Sequence, residues 1–249
     1  TGVGITTCII TLMAGTQRDV VEGFKLRQDT LPSPALHELV KDPEVFERVE
    51  VRQSEFDSSP WVLVSPVITR LNSKIDFAGE PLEKILVVGK GMETGRNDVF
   101  GKRTWDEIVA WGVEPGMYFK RATNSDIQRY FIRDRKEYIL YPQSVSFFKE
   151  LPSGVQQHLL AHAAELKERA AFKRGDCEWW KFTWPLHEAY YNRRRIICPY
   201  LATSNRFALD EQTEFLSLTD TTVLFENKQP ENLLYILGLL NSRLLTFRF

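Results

Sequence analysis

The stretch 193–210 constrains the fold most, because it joins a run of three arginines to the residue types of a buried strand. Ile196, Ile197 and Tyr200 are β-branched or aromatic, and they stand between the charge run and a polar loop, as strand residues of a core do. The pattern therefore predicts a short buried strand that the arginine run enters from solvent.

Four guanidinium groups flank this predicted strand and the loop after it. A run of like charges is commonly a solvated surface. The planar, bidentate guanidinium also suits a phosphate or the edge of a guanine, so the same run would serve as an anion-binding edge. The residue types alone leave both interpretations open. The four groups belong to Arg193, Arg194, Arg195 and Arg206.

The charge of the chain is segregated along its length. The 249 residues carry 32 basic and 33 acidic side chains, which argues against a protein that is basic throughout. Residues 167–206 hold nine basic and four acidic residues, a net charge of +5, whereas residues 1–60 hold six basic and ten acidic residues, a net charge of −4. Any contact with nucleic acid must therefore come from local patches.

Cysteine usage and hydropathy indicate a reduced, cytoplasmic setting. The three cysteines, Cys8, Cys177 and Cys198, are odd in number and form no CxxC pair, so neither a disulfide framework nor a zinc site is expected. The apolar run at 5–13 is predicted to be a strand, because no basic segment precedes it as in a signal peptide. No apolar run approaches the roughly 18 residues needed to cross a bilayer, so no membrane partner is expected.

A glycine cluster after the predicted strand 82–88 makes nucleotide binding an alternative. From Gly89 to Gly95 the spacing is one residue longer than the dinucleotide fingerprint, and no amphipathic helix begins at Arg96. A turn-rich loop explains the glycines equally well. A third interpretation is that the glycines bring the backbone close to a partner while Arg96 and Asn97 contact base edges.

Two segments have strong helical patterns. Ser153 and Gln156 form a capping-box signature before a helix predicted over 154–172. His158 and His162 lie four residues apart on it, but the HExxH pattern is absent, so solvent-facing positions explain the pair better than metal ligation.

The final helix, predicted over 231–247, is apolar nearly all round and is expected to be buried beneath a sheet. Together with the strand patterns, these helices predict a mixed α+β fold, in which curved mixed or antiparallel β-sheets are covered by a few packing helices. Other helices are predicted at 35–41 and 67–74, strands at 130–132 and 138–141, and a hairpin at 215–225.

Four segments, in the same order along the chain, resemble the C-terminal target-recognition region of TaqI-like adenine-specific DNA methyltransferases, a family that includes fused restriction-modification enzymes. They span about 150 residues, and residues 5–12 are similar to the last strand of the methyltransferase domain that precedes this region in the family. The four segments are GMETGRNDVF at 91–100, KRATNSDIQRY at 120–130, the stretch 193–210 with its NRFALD, and LLYILGLLNSRL at 233–244.

The resemblance implies a two-part enzyme in which a domain that binds S-adenosylmethionine methylates the N6 of a flipped-out adenine, while the region seen here recognises the DNA sequence. The chain has no Asn/Asp-Pro-Pro-aromatic motif, which the family uses to hold the adenine amino group. We therefore expect a fragment that is inactive alone and holds no cofactor or metal. Residues 1–15 would be the trailing strand of the methyltransferase domain and 16–249 the recognition domain, with sublobes near 16–142 and 143–249.

The expected partners are double-stranded DNA and the catalytic methyltransferase domain of the same chain. Contacts of lysines and arginines with phosphates would supply most of the affinity, and side chains in the loops would recognise the DNA sequence. Two alternatives stay open: a nucleotide-binding enzyme that uses the 89–95 loop, and a protein-interaction domain whose last helix docks on a partner. Residue chemistry, and not the resemblance, selects the predicted DNA contacts, which are Arg96, Asn97, Lys120, Arg121, Asn124, Arg193, Arg194, Arg195 and Arg206.

Overall fold

A computed structural model describes residues 19–27, 42–56, 64–227 and 232–248. The chain divides into two compact units, Thr1–Gly79 and Glu80–Phe249. The strand predicted at 5–13, the trailing segment 1–15 and the helix predicted at 35–41 lie outside the described residues. The predicted domain and sublobe boundaries stay predictions.

The described residues of the first unit form an antiparallel ribbon and an α-helix. Strands β1 (Val20–Leu26) and β2 (Phe46–Arg52) pair antiparallel, and Val49 and Val51 of β2 are buried. Helix α1 (Pro66–Ala78) has proline at its first position, where the missing N–H costs nothing. The predicted helix is therefore confirmed and is longer than expected.

Two β-sheets form the centre of the second unit. The four-stranded sheet has the order β3–β9–β6–β7, and all its pairs are antiparallel. The three-stranded sheet has the order β5–β4–β8, in which β4 is antiparallel to β5 and parallel to β8. The predicted mixed α+β fold is confirmed. The strands are β3 (Leu86–Lys90), β4 (Tyr118–Ala122), β5 (Tyr138–Leu140), β6 (Arg195–Pro199), β7 (Ala208–Asp210), β8 (Phe215–Ser217) and β9 (Thr221–Glu226).

Short helices surround these sheets. They are α2 (Asn97–Phe100), α3 (Trp105–Ala110), α4 (Ser153–Ala161), α5 (Ala163–Lys167), α6 (Ala170–Arg174), α7 (Leu233–Leu240) and α8 (Arg243–Arg248).

The four-stranded sheet is covered on both faces. Neighbouring residues of its central strands point to opposite sides, so each strand contributes to two hydrophobic clusters. Ile196 and Leu224 contact the layer formed by α7, whereas Ile197 and Val223 belong to the main core shared with the three-stranded sheet. The predicted strand at 196–197 is confirmed. Tyr200 lies one residue beyond β6 and is exposed, so its predicted burial is wrong.

The helix predicted over 231–247 is divided into α7 and α8 at Asn241, and α7 covers one face of the sheet. The buried face of α7 includes Leu233, Ile236 and Leu240, which confirms that the helix packs on a sheet. Its opposite face exposes Leu234 and Tyr235, so the expectation of burial nearly all round is wrong.

Three further expectations are corrected. The helix predicted over 154–172 is divided into α4, α5 and α6, with breaks at His162 and Arg169. Strands β8 and β9 do not pair as a hairpin, because each belongs to a different sheet. The segment predicted as a strand at 130–132 forms only isolated bridges.

Candidate nucleic-acid interface

Four connections meet at one end of both sheets. Lys90 at the end of β3 and Pro199 at the end of β6 lie opposite the first two residues of β9. Strand β8 ends just before β9 begins. The end of β4 lies beside the end of β8, because Ala122 pairs with Ser217 in a parallel register. We call residues 90–97, 123–133, 199–207 and 218–220 the loop end.

A buried arginine holds the first of these connections. Arg169 donates from Nη1 to the Thr94 carbonyl at 2.8 Å and from Nη2 to the Trp179 carbonyl at 2.8 Å, and burial lowers its pKa. Gly95 adopts a left-handed φ of 75°, which favours glycine. Arg169 therefore supports the 90–97 loop from within.

The glycines of this loop pack against protein. A Cβ at Gly89 would overlap the His187 ring, and a Cβ at Gly91 would overlap the Leu218 carbonyl. The helix that follows is only α2, four residues long. Neighbouring protein atoms therefore fill the space that Gly89 and Gly91 leave open, and a helix of one turn follows where the dinucleotide fingerprint has a long helix.

A polar depression of about 370 Å³ lies at this loop. Lys90 is exposed beside it, with Nζ 5.6 Å from the centroid of the Tyr200 ring, and no carboxylate of the described residues pairs with it. Asn97 is also exposed, and its Oδ1 accepts a hydrogen bond from Thr94 Oγ1 at 2.6 Å. The depression is lined by Lys90, Glu93, Gly95, Arg96, Asn97 and Thr219.

Arg96 lies in the depression but its charge is compensated. Its Nη2 is 2.7 Å from Asp98 Oδ2 and also pairs with Glu165. The hydrogen bond from Arg96 lowers the pKa of Asp98 to about 2. Arg96, which the sequence predicts to contact DNA, is therefore less available to a phosphate than Lys90 is.

Asn124 and Arg206 fasten the other connections together. Arg206 donates from Nη1 to the Ile127 carbonyl at 2.9 Å and from Nη2 to Asn124 Oδ1 at 3.1 Å. Asn124 donates from Nδ2 to the Leu201 carbonyl and from its backbone N–H to Asp220. Both side chains are half-buried. They position the loop end and leave Leu201 exposed at its tip.

The arginine run lies at the opposite end of β6. Arg195 is paired with Asp210 of β7 and is fully buried. Arg194 forms ion pairs with Glu211 and Glu226, and Arg193 donates to the Glu226 carbonyl at 3.2 Å. The predicted contact between Arg195 and DNA does not fit this burial, since the protein uses its guanidinium internally.

Lys120 and Arg121 form a third group, on β4. Lys120 Nζ is 2.8 Å from Glu214 and 3.3 Å from Asp134, and the hydrogen bond to Glu214 raises its pKa. Arg121 has an Nη1 atom 3.8 Å from Glu137 and is half-buried. The nine predicted contacts thus fall into three places, of which the loop end contains Arg96, Asn97, Asn124 and Arg206.

Metal and membrane features give no alternative site in the described residues. No group of three potential metal ligands is found there, nor does any helix reach the length and apolar character that a membrane crossing requires.

His158 stacks on Trp111 with ring centroids 4.6 Å apart. The expectation that this histidine faces solvent is therefore wrong.

Residues 122–249 match the model of the TaqI-like C-terminal specificity domain. The chain belongs to this family. The specificity domain includes the last residue of β4 and three of the four connections of the loop end.

A similar solved structure is described as that of the type IIL restriction-modification enzyme MmeI in complex with DNA. It is 12% identical, has a TM-score of 0.47, and covers 66% of this chain and 21% of its own. The chain thus spans about a fifth of the length of that structure. A comparison with curated proteins found no match.

Proposed function

We propose that the chain binds double-stranded DNA through its loop end and selects the DNA sequence there. One observation carries the proposal: four polar connections, three of them within the TaqI-like specificity domain, converge at one end of both sheets. Loops held on a rigid scaffold are a common place for binding residues.

The exposed groups of the loop end suit the two kinds of DNA contact. Lys90 carries a positive charge that no described carboxylate compensates, so it is suited to a phosphate. Asn97 presents an exposed amide, and asparagine recognises adenine through N6 and N7 in the major groove. Phosphate contacts would position the duplex, while Asn97 would distinguish bases.

We further propose that this domain serves an adenine-N6 DNA methyltransferase that uses S-adenosylmethionine. The cofactor and the catalytic groups would belong to a methyltransferase domain, since the 89–95 loop packs against protein. The loop end would hold the duplex while the target base leaves the base stack, a step that costs a few kcal/mol.

Selection from a random duplex library tests the recognition. The 249-residue chain is expected to enrich one defined sequence. Asn97→Ala should reduce the discrimination at one position by about 1–3 kcal/mol, whereas the matched control Asn192→Ala, an exposed asparagine beside the arginine run, should leave the selected sequence unchanged. Enrichment of no sequence would overturn the proposal.

The methyltransferase proposal has a separate test. The sequence selected by the chain should be the sequence that carries N6-methyladenine in the DNA of the organism that encodes it. Methylation of cytosine there, or no modified base there, would contradict the adenine-N6 proposal without affecting the binding proposal.

The exposed face of α7 favours protein interaction as a second candidate function. Leu234 and Tyr235 are both mostly exposed on that face, and exposed apolar patches often mark an interface. Concentration-dependent association of the chain that Leu234→Glu abolishes, with no binding to DNA, would favour this second candidate.

A further inference from the structure

Two aromatic side chains stand exposed side by side at the tip of the connection between β4 and β5. Tyr130 is 56% exposed and Phe131 is 57% exposed. The turn is closed by the hydrogen bond from the Gln128 N–H to the Phe131 carbonyl at 3.0 Å. The Tyr130 N–H also donates to the Phe207 carbonyl at 2.8 Å. The turn is therefore fixed to the rest of the loop end, and we call residues 128–133 the aromatic turn.

The backbone of the aromatic turn is strained at Tyr130. This residue has a φ of 74°, in the left-handed region where glycine or asparagine is usual and a bulky side chain is unfavourable. Within the described ranges, neither the Tyr130 ring nor the Phe131 ring stacks on another aromatic ring. Stacking between aromatic rings therefore does not compensate the strain, and strained residues of this kind cluster at functional sites.

Two arginines beside the aromatic pair keep their positive charge. Among the described residues, Arg129 donates to two neutral acceptors, the Asn205 carbonyl at 3.2 Å and Thr246 Oγ1 at 3.1 Å, and to no carboxylate. Arg133 is exposed, and no carboxylate in the described part of the chain pairs with it. By contrast, Arg135 forms an ion pair with the buried Asp126. The aromatic turn thus combines apolar rings with uncompensated charge.

We propose that the aromatic turn is a DNA-contacting element in which Tyr130 and Phe131 insert as an apolar wedge at a base step, while Arg129 and Arg133 bind the flanking phosphates. The inference rests on the proposed function, since it requires the loop end to face a duplex. Apolar wedges partly unstack a base step and kink the duplex, and the cost is offset by the contacts that the bend permits. Cations on both sides would hold the phosphates of the kinked step.

The test uses variants that separate folding from binding. Tyr130→Gly removes the ring and relieves the left-handed strain, so the melting temperature should stay the same or rise while binding to the selected duplex weakens about fivefold or more, in line with the contribution of one aromatic contact. Phe131→Ala should weaken binding similarly. Phe147→Ala is the matched control, because Phe147 is 61% exposed but lies outside the loop end.

A second measurement examines the wedge itself. The selected duplex is compared with a series of the same duplexes in which a single-nucleotide bulge is moved through the sequence. Wild-type protein should bind at least one bulged duplex several-fold more tightly than the intact one, because that step is already unstacked. Tyr130→Gly and Phe131→Ala should lose this preference, and Phe147→Ala should keep it.

The outcomes distinguish the two proposals. If the wild-type chain binds the intact duplex but Tyr130→Gly and Phe131→Ala bind like Phe147→Ala, the wedge is overturned and the proposed function stands. A lower melting temperature of Tyr130→Gly would assign the ring a structural role and would also overturn the wedge. Failure of the wild-type chain to bind any duplex would overturn the proposed function and this inference together.

Discussion

Arg195 and Asp210 form an ion pair in the interior of the second unit, with Nη2 2.9 Å from Oδ2 and side-chain exposures of 0% and 2%. Arg195 also donates to the carbonyls of Tyr191 and Phe215. Asp210 accepts from the backbone N–H groups of Glu214 and Phe215. The pair therefore joins β6, β7 and β8 at the end of the sheets opposite the loop end.

Removal of one partner of this pair should destabilise the fold strongly. Arg195→Ala leaves the Asp210 carboxylate buried without its cation, and loss of one member of a buried ion pair costs about 3–5 kcal/mol. Urea unfolding of the 249-residue chain measures the change. The matched control is Arg194→Ala, whose side chain is 42% exposed and whose loss should destabilise the fold far less, because exposed ion pairs contribute little. Equal losses for both variants would contradict the structural role of Arg195.

Two glycine substitutions should have opposite effects on stability. Gly91→Ala places a Cβ against the Leu218 carbonyl, and overpacking of this kind costs about 1–3 kcal/mol. It should also weaken DNA binding, because Gly91 belongs to the 90–97 loop. Gly238 lies on the exposed side of α7 with no atom within contact distance, so Gly238→Ala should stabilise the chain by about 0.5–1 kcal/mol. Thermal melts of both variants check the signs.

Acidification should destabilise the fold through two half-buried histidines. Burial lowers the pKa of His158 and of His187, so both stay neutral in the folded chain at a pH where the unfolded chain, with a histidine pKa of about 6.5, is protonated. The unfolded state then binds more protons, and the free energy of unfolding falls as the pH falls from about 7.5 through 6.5. Urea unfolding at several pH values measures this slope.

The variant His158→Gln/His187→Gln should be less dependent on pH over the same range, even if it is less stable at pH 7.5. A free energy of unfolding that stays constant or rises on acidification of the wild-type chain would contradict the burial of these two rings.

The sequence predicts the strand at Ile196 and Ile197 because β-branched residues between polar segments are a local signal. It does not predict that Arg195 is buried, since the carboxylate that compensates it is Asp210, and the pairing depends on the β6–β7 register. A charge run has the same appearance in a sequence whether its side chains face solvent or a buried partner.

The helix predicted over 154–172 shows the same limit. Its apolar spacing is helical, but Arg169 turns inward to the carbonyl of Thr94, a residue 75 positions earlier, and the helix breaks there. Because that contact is distant in sequence, periodicity cannot reveal it. The contact nevertheless supports the 90–97 loop.

The candidate site is partly predictable. Polar residues after strands, such as Asn97 and Asn124, can be found from the sequence, and both lie at the loop end. Lys90 and the aromatic turn are missed. Among the described residues, no carboxylate pairs with Lys90 and no aromatic ring stacks on Tyr130 or Phe131. Only the tertiary contacts determine these two properties.

The salt dependence of DNA binding tests the central claim most directly. The 249-residue chain is titrated with the selected duplex at several salt concentrations, and the logarithm of the binding constant is plotted against the logarithm of the salt concentration. Lys90→Ala at the loop end should weaken binding and reduce the slope by about one phosphate contact. Arg193→Ala/Arg194→Ala at the opposite end of β6 should leave affinity and slope unchanged. Unchanged binding by Lys90→Ala, together with a flatter slope for the double arginine variant, would place the duplex at the arginine run and contradict the loop end as the interface.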